Sequence, residues 1–439
     1  MSFVPIMSNG LGVESVAILL RWINEPETRD FPLEDLIVIT AMTGREWRDT
    51  VEKFEQFMLP LFRKHRIRFV QVARAGHLEK DGIVVLDDSR EPAKVFADGA
   101  YTLTDELLAA GTVPQFGGEH RCSLKFKAFT IEKWLKTNIQ MSVRHTFGYN
   151  CKEMSRVSNS ETAIAARVTF GFNSGELGRV ADAQAYDRPT RIGHYPLVGW
   201  GWDRTRCLEY LKLVLGVDWE KSACPFCPFA HITAALIERQ KRFPEDTALA
   251  MFMERVSLAM NPRGQLFKQE PLYALVEKSG NTAAVEAFEG LMRRHRWALY
   301  RVRRIYQAKP IHDRAEKKRR PIGHDPTKKG TARRCVQKIE EFATCQEAHR
   351  RLAGLGQQRT IPIRELHGLQ FLPIAECGIF YPTREEFFVC APAVVDTKAR
   401  YGIEHFDSKW QGVANMYCGK HDLPLWAGIE PENALIKII

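Results

Sequence analysis

Residues 8–20 read SNGLGVESVAILL, a glycine-punctuated turn set between the apolar run at 3–7 and a second apolar stretch. A short apolar run closed by such a turn suits a buried strand. The spacing of Val16, Leu19, Leu20 and Ile23 suits an amphipathic helix that starts at Glu14 and ends near Pro26. Strand, bare turn and helix together aim several backbone N–H groups and the positive end of a helix at one point, which makes an anion site. Gly10 and Gly12 let oxygens approach without a Cβ in the way, and Ser8 and Ser15 add hydroxyl donors. A carboxylate at Glu14 repels a bare phosphate, so it points either to a Mg²⁺-bound nucleotide or to a role in orienting the loop. A turn that is glycine-rich for packing alone is the competing reading. The spacing is neither a P-loop, which ends in Gly-Lys-Ser/Thr, nor the Gly-x-Gly-x-x-Gly dinucleotide fingerprint.

The pattern continues beyond this stretch. Residues 36–40 read as a second strand, 49–66 as a second helix and 67–73 as a third strand, with 142–149 and 167–172 prolonging the alternation. Strands alternating with helices imply an α/β domain with a parallel sheet covered on both faces, expected here over residues 1–230. Residues 231–308 have a mostly helical period, broken at Pro244, at 261–264 and at Gly280. A basic, Pro- and Gly-punctuated stretch at 309–334 is expected as a linker, and 335–439 mixes strand-like and helical pieces without an internal repeat. A chain of 439 residues is long enough for two or three domains.

The net charge of +10 is local. Residues 293–334 hold sixteen Lys/Arg and three acids, which leaves the rest of the chain slightly acidic. A local basic surplus with Trp297, Tyr300 and Tyr306 interleaved selects for a polyanion, and Arg301, Arg303, Arg304, Lys317, Lys318, Arg319 and Arg320 are its expected contacts. A solvated linker is the competing reading. No apolar run approaches the roughly 20 residues of a membrane span, and no basic, apolar leader opens the sequence, so a soluble cytoplasmic protein with no membrane partner is expected.

Ser8-x-Gly10-x-Gly12-x-Glu14-Ser15 resembles the PP-loop, Ser-Gly-Gly-x-Asp-Ser, of the ATP-pyrophosphatase and PAPS reductase superfamily, with two extra residues and Glu in place of Asp. Further segments fall in the family's order. TGREWRDT supplies Thr43, Gly44, Glu46 and Thr50, and HRCSLKFK supplies Arg121, Cys122 and Lys127. GYNCKEMSR supplies Gly148, Glu153 and Arg156, and YPLVGWGWDRTRCLEYL is similar to the Tyr-Pro-Leu segment. The resemblance covers about half the chain. It implies a doubly wound, mostly parallel sheet of the adenine nucleotide alpha hydrolase-like type, with a helical extension and a smaller C-terminal α+β region. It also implies that Ser8, Asn9, Gly10, Gly12, Val13, Thr43, Gly44, Glu46, Arg121 and Gly148 hold ATP. Glu14, Ser15, Lys127 and Arg156 would then serve the chemistry, with Mg²⁺ as companion ion.

Among ten cysteines, Cys224-Pro-Phe-Cys227 stands out, because Cys-x-x-Cys lets two thiolates face one metal. It is equally the spacing of a redox dithiol. Cys122, by the resemblance, is the natural third ligand and Cys207 the leading fourth, with Cys151 competing and His231 an outside candidate. A [4Fe–4S] cluster is preferred to zinc and to persulfide-carrying thiols, and a three-cysteine cluster with an open iron would suit sulfur handling. Cys335, Cys345, Cys377, Cys390 and Cys418 lack metal spacing and read as packing residues.

Two enzyme readings share this fold. In the first, an ATP pyrophosphatase adenylates a nucleic-acid oxygen for sulfur insertion, similar to the sulfurtransferase of bacterial DNA phosphorothioation systems (Dnd/Ssp type). DNA is preferred to tRNA, with a cysteine desulfurase as partner and sulfur donor. In the second, a PAPS or APS reductase makes sulfite. The length beyond the α/β domain and the basic stretch favour nucleic acid. A nucleotide-sensing subunit is the non-enzyme alternative.

Overall fold

The alternation begun at the amino terminus builds a six-stranded sheet in the order β4-β3-β2-β1-β5-β6. Its strands are β1 (Val4–Ser8), β2 (Ile37–Met42), β3 (Arg68–Arg74), β4 (Ile83–Ser89), β5 (Val143–Thr146) and β6 (Arg191–His194). Every neighbouring pair is parallel except β3 with β4. The computed structural model describes residues 3–114, 122–152, 191–230, 232–311, 321–375, 380–399 and 401–417. It divides into two units, Met1–Glu106 with Phe116–Asp246, and Leu107–Gln115 with Thr247–Ile439.

Strand side chains of the first unit obey the period of two. Met7, Val38 and Phe69 share one core with helices α1 (Val13–Asn24) and α2 (Arg48–Lys64). Ile6, Ile37, Ile39, Val70 and Val72 share the other with Ile131, Trp134 and Leu135 of the helix Phe129–Asn138. The sheet is therefore flanked by helices on both faces. Helix α1 buries Val16, Ile18, Leu19, Leu20 and Trp22, each worth roughly 1.5–3 kcal/mol, which fixes its first turn against the sheet. The chain leaves β1 for β2 and β3 and later adds β5 and β6 on the other side of β1. Outside the carboxyl end of a strand where the order reverses, open α/β sheets form their ligand crevice.

The second unit is built on an antiparallel sheet of order β12-β8-β7-β11-β10-β9. The strands are β7 (Trp297–Ile311), β8 (Gly323–Phe342), β9 (Arg364–Leu366), β10 (Leu369–Ala375), β11 (Thr383–Pro392) and β12 (Lys398–Ala399). Residues 297–311 and 323–342 thus replace the expected helical tail and basic linker with the two longest strands, paired from Trp297↔Phe342 to Ile311↔Gly323. Their pattern misleads because both faces are covered. Trp297, Leu299 and Cys390 pack beneath the helix Cys345–Arg359, while Ile305 and Cys335 pack beneath Phe406 and Trp410 of the helix Ile403–Tyr417. Among the described residues, no helix is long and apolar enough to cross a membrane.

Candidate functional site

The turn after β1 is held open from within. Asn9 N–H donates to Ile39 O on β2, and Leu11, at φ +57°, donates its N–H to Asn9 Oδ1 at 3.0 Å. Gly12 is the extended N-cap of α1, and no described side chain caps the helix's first turn. Ser15 turns its hydroxyl back onto Gly12 O at 3.0 Å. The amide end of α1 therefore keeps its partial positive charge for something outside the helix. Gly148, just beyond β5, passes so close that a Cβ there would lie 3.2 Å from Ser15 N.

Ser8 ends β1 and stands 2.7 Å from Nε2 of His145 on β5. The other ring nitrogen of His145 receives Arg191, whose guanidinium also pairs with Glu132 at 2.6 Å. An arginine keeps its protons, so Nδ1 is the acceptor and Nε2–H is the donor to Ser8 Oγ. The Ser8 O–H is left to donate toward the loop. Burial first, then the Arg191 charge, holds His145 well below the ordinary imidazole range.

Glu14 is paired within the chain. Arg204 Nη1 lies 2.8 and 3.0 Å from its two carboxylate oxygens. The charge that would repel a phosphate is thus offset by the protein itself, an arrangement that fits the loop-orienting alternative.

A second loop, between β2 and α2, forms the facing wall. Gly44 has φ +89°, and a Cβ there would overlap Thr102 Cβ at 2.3 Å, so only glycine fits. The Glu46 carboxylate accepts from Ser222 Oγ and from Ala223 N–H, each at 2.7 Å. Burial pushes Glu46 up to about 7 against the opposing pull of Lys127 and those hydrogen bonds. Ser222 Oγ also sits 2.5 Å from Gly10 O, and Trp219 Nε1–H donates to Leu11 O at 3.1 Å. Residues 219–223 thus tie the two loops together. Behind them, buried Arg239 forks onto Asp49 at the start of α2, with Nη2 2.5 Å from Oδ1.

The walls enclose a cavity of about 20 Å³ lined by Gly10, Thr40, Thr43, Arg45, Glu46 and Lys127 among others. That is room for about one water-sized atom, such as a single phosphate oxygen. A larger cleft of about 230 Å³ adjoins it, sharing Arg45, Glu46, Val51 and Ala97. Three buried polar atoms nearby, Asn9 Nδ2, Thr40 Oγ1 and Arg45 Nε, have no hydrogen-bond partner among the described residues, and Thr40 and Arg45 belong to residues that line the cavity. Native interiors rarely leave such groups unmade, so a polar ligand is the economical explanation.

The cysteine pair abuts this cavity. Cys224 Sγ is 3.6 Å from Thr43 Oγ1. Burial, reinforced by Glu46, pushes the Cys224 thiol up to about 12. Burial also raises Cys227, and the charge of Cys122 lies near enough to raise it further. Cys207 is elsewhere. It is wholly buried on the helix Arg204–Leu215, where burial and Glu14 push it up to about 12, with Asp203 and Cys151 as further neighbours. The electrostatic neighbours of Cys207 are Glu14, Asp203, Arg204 and Cys151, whereas those of Cys227 include Cys122 and Lys127. Among the described residues, no group of three or more His, Cys, Asp or Glu is arranged to hold a metal. Cys335 and Cys390 are buried in separate clusters and Cys345 packs in that of Cys390, as expected of packing residues.

The expected nucleic-acid contacts also need correction. Arg303 and Arg304 are only 4% and 5% exposed. Arg303 pairs with Asp407 at 2.7 Å and Arg304 with Glu385 at 3.0 Å, while Arg301 reaches Glu386 at 2.5 Å. These cations are spent on carboxylates of β11 and of the helix Ile403–Tyr417, since a covered sheet face cannot leave a charge unpaired. Lys309, Lys328 and Lys329, toward the distal end of β7 and β8, are exposed. Arg121, Glu153, Arg156, His231, Lys317, Lys318, Arg319, Arg320, Cys377 and Cys418 lie outside the described residues, as does the strand expected at 167–172.

Thr40, Arg45, Arg204, Trp219 and Ser222 went unnoticed in the sequence, as did the His145–Arg191 pair behind Ser8. Most act through partners far away along the chain, and no local spacing announces such contacts. No protein-family model matches this sequence, and no curated protein or solved structure matches it either.

Proposed function

We propose that this chain is an ATP-dependent sulfurtransferase of the PP-loop, adenine nucleotide alpha hydrolase-like kind, acting on nucleic acid and on DNA before tRNA. One observation carries the reading: Gly10 and Leu11, just before the uncapped first turn of α1, line a cavity with Thr40, Thr43, Arg45 and the cation Lys127, and the thiol of Cys224 lies 3.6 Å from the Thr43 hydroxyl. A substrate oxygen attacks the α-phosphorus of ATP, the bond to pyrophosphate breaks, and the oxygen becomes part of an AMP leaving group that sulfur displaces. The α1 amides and the Ser8 hydroxyl hold phosphoryl oxygens, and Lys127 offsets the charge that develops on pyrophosphate. Cys224 and Cys227 would carry sulfur delivered as a persulfide by a cysteine desulfurase: the outer sulfur displaces AMP, the second thiol attacks the inner sulfur to release the phosphorothioate, and the resulting Cys224–Cys227 disulfide is reopened by an external dithiol reductant. Exposed Lys309, Lys328 and Lys329 support a polyanionic substrate. The burial of Arg303 and Arg304 favours the second reading, a PAPS or APS reductase with a small substrate.

Incubation with ATP or PAPS, each with DNA or tRNA and a dithiol reductant, followed by assay of pyrophosphate and sulfite, separates these readings. Pyrophosphate from ATP with DNA is expected, reduced about 10²–10³-fold in Lys127→Ala and Ser8→Ala. Sulfite from PAPS establishes the reductase instead, and neither product removes both.

A further inference from the structure

Strands β7 and β8 continue past the sheet they belong to. β11 pairs with β7 from Trp297 to Tyr306 and β12 meets β8 at Cys335 and Val336, whereas β7 and β8 stay paired as far as Ile311↔Gly323. Among the described residues, the outer stretch of 307–311 with 322–331 is thus a two-stranded ribbon, braced where Tyr381 N–H donates to Pro326 O at 2.8 Å. Its base is drawn tight at Gly330, where a Cβ would lie 2.4 Å from Ala308 O. Ala308 faces Lys329 but Lys309 faces Asp325, so Pro326, Thr327 and Lys328 form a bulge that bends the pair. At about 3.3 Å per residue, the part of β7 beyond Tyr306 reaches roughly 16 Å.

This ribbon is basic with an apolar end. Lys309, His324, Lys328 and Lys329 are exposed. The one acid of the stretch, Asp325, already accepts from Thr327 and pairs with Lys328 at 3.1 Å. Ile311 and Ile322, joined by a backbone bond of 2.9 Å, are 44% and 72% exposed. Residues 312–320, which connect the two strands, hold five Lys/Arg against two acids. Lysine and proline on an unpaired strand also deter pairing with other sheets, but that purpose does not call for two exposed isoleucines among cations. The major groove of B-form DNA does suit the combination. It is about 12 Å wide and admits a two-stranded ribbon, phosphates line its rims, and thymine methyls offer apolar contacts inside. The major groove of an RNA helix is too narrow for side chains to read.

We propose that the outer ribbon of β7 and β8 enters the major groove of duplex DNA, with Lys309, Lys328 and Lys329 on the phosphates and Ile311 and Ile322 against base edges. The inference rests on the nucleic-acid reading above and narrows it: the substrate is a B-form duplex rather than a single strand or an RNA helix.

Fluorescence anisotropy of the full chain tests it, with a labelled mixed-sequence DNA duplex, one of its strands alone and the matching RNA duplex as probes. The DNA duplex should bind about tenfold or more tightly than the other two, and should lose that advantage when its cytosines carry glucosylated hydroxymethyl groups, which fill the major groove. Netropsin, which fills the minor groove, should leave binding unchanged. Ile311→Ser combined with Ile322→Ser should weaken duplex binding about 3- to 30-fold without altering its salt dependence, since no charge is removed. Equal affinity for all three probes overturns the ribbon while leaving nucleic-acid binding intact. Displacement by netropsin does the same, as does a double variant that binds like the unsubstituted chain. If no probe binds, the nucleic-acid reading falls as well.

Discussion

Glu46 joins the two loops of the site while sitting close to its own half-titration point. Burial raises it from 4.5 to about 7, so folding favours its protonated form. The stability this group contributes is complete below its unfolded value and is lost as the pH rises through 7, a swing on the order of 3 kcal/mol. In Glu46→Gln the fall in unfolding free energy between about pH 5 and 7 should flatten relative to the unsubstituted chain. Parallel profiles for the two proteins would show that Glu46 is not the group responsible. Glu46 and Lys127 were legible because each sits in a short segment with a chemical pattern. Arg45 and Thr40 were not, because a lone guanidinium or hydroxyl acquires meaning only when a cavity forms in front of it.

At the scale of elements, β7 and β8 show how a charge count misleads. Sixteen cations in 42 residues read as a solvated run, yet Arg303 and Arg304 lie inside the sheet, each facing a carboxylate. The acids that neutralise them come from residues 385 and 407, too far along the chain to enter a local tally. Replacing Arg304 by Ala should therefore cost about 3–5 kcal/mol of stability, read by urea unfolding, because Glu385 is left without its cation. Replacing Lys309, Lys328 and Lys329 together should leave the unfolding midpoint in place. It should reduce the slope of log affinity for DNA against log salt by about three, as expected when three phosphate contacts disappear. An unchanged slope would take the distal ends of these strands out of any nucleic-acid contact. By contrast β1, α1, β2, α2 and β3 were readable in sequence order, because a parallel sheet buried on both faces needs continuous apolar runs and its connecting helices need an apolar stripe.

Over the whole molecule the cysteines fall into separate environments despite their shared chemistry. Cys207 and Cys224 are both pushed up to about 12, one behind α1 and the other at the cavity. A thiol reacts as its thiolate, so neither should be alkylated by iodoacetamide at pH 8 in the folded protein, and both should be after denaturation, as read by peptide mass spectrometry. Rapid native labelling of Cys224 would show that the cavity is more open than its geometry indicates. The first unit was the legible half because its strands alternate with helices. The second stayed obscure because its strands are long, charged and paired by contacts that no periodicity reports.

Residues 219–223 lie across the loop that begins at residue 8, with Trp219 on Leu11 and Ser222 on Gly10. A ribosome making this protein therefore finishes the glycine turn some two hundred residues before it makes the latch. Until that latch emerges, a half-made chain holds the turn without the residues that tie it to the loop after β2.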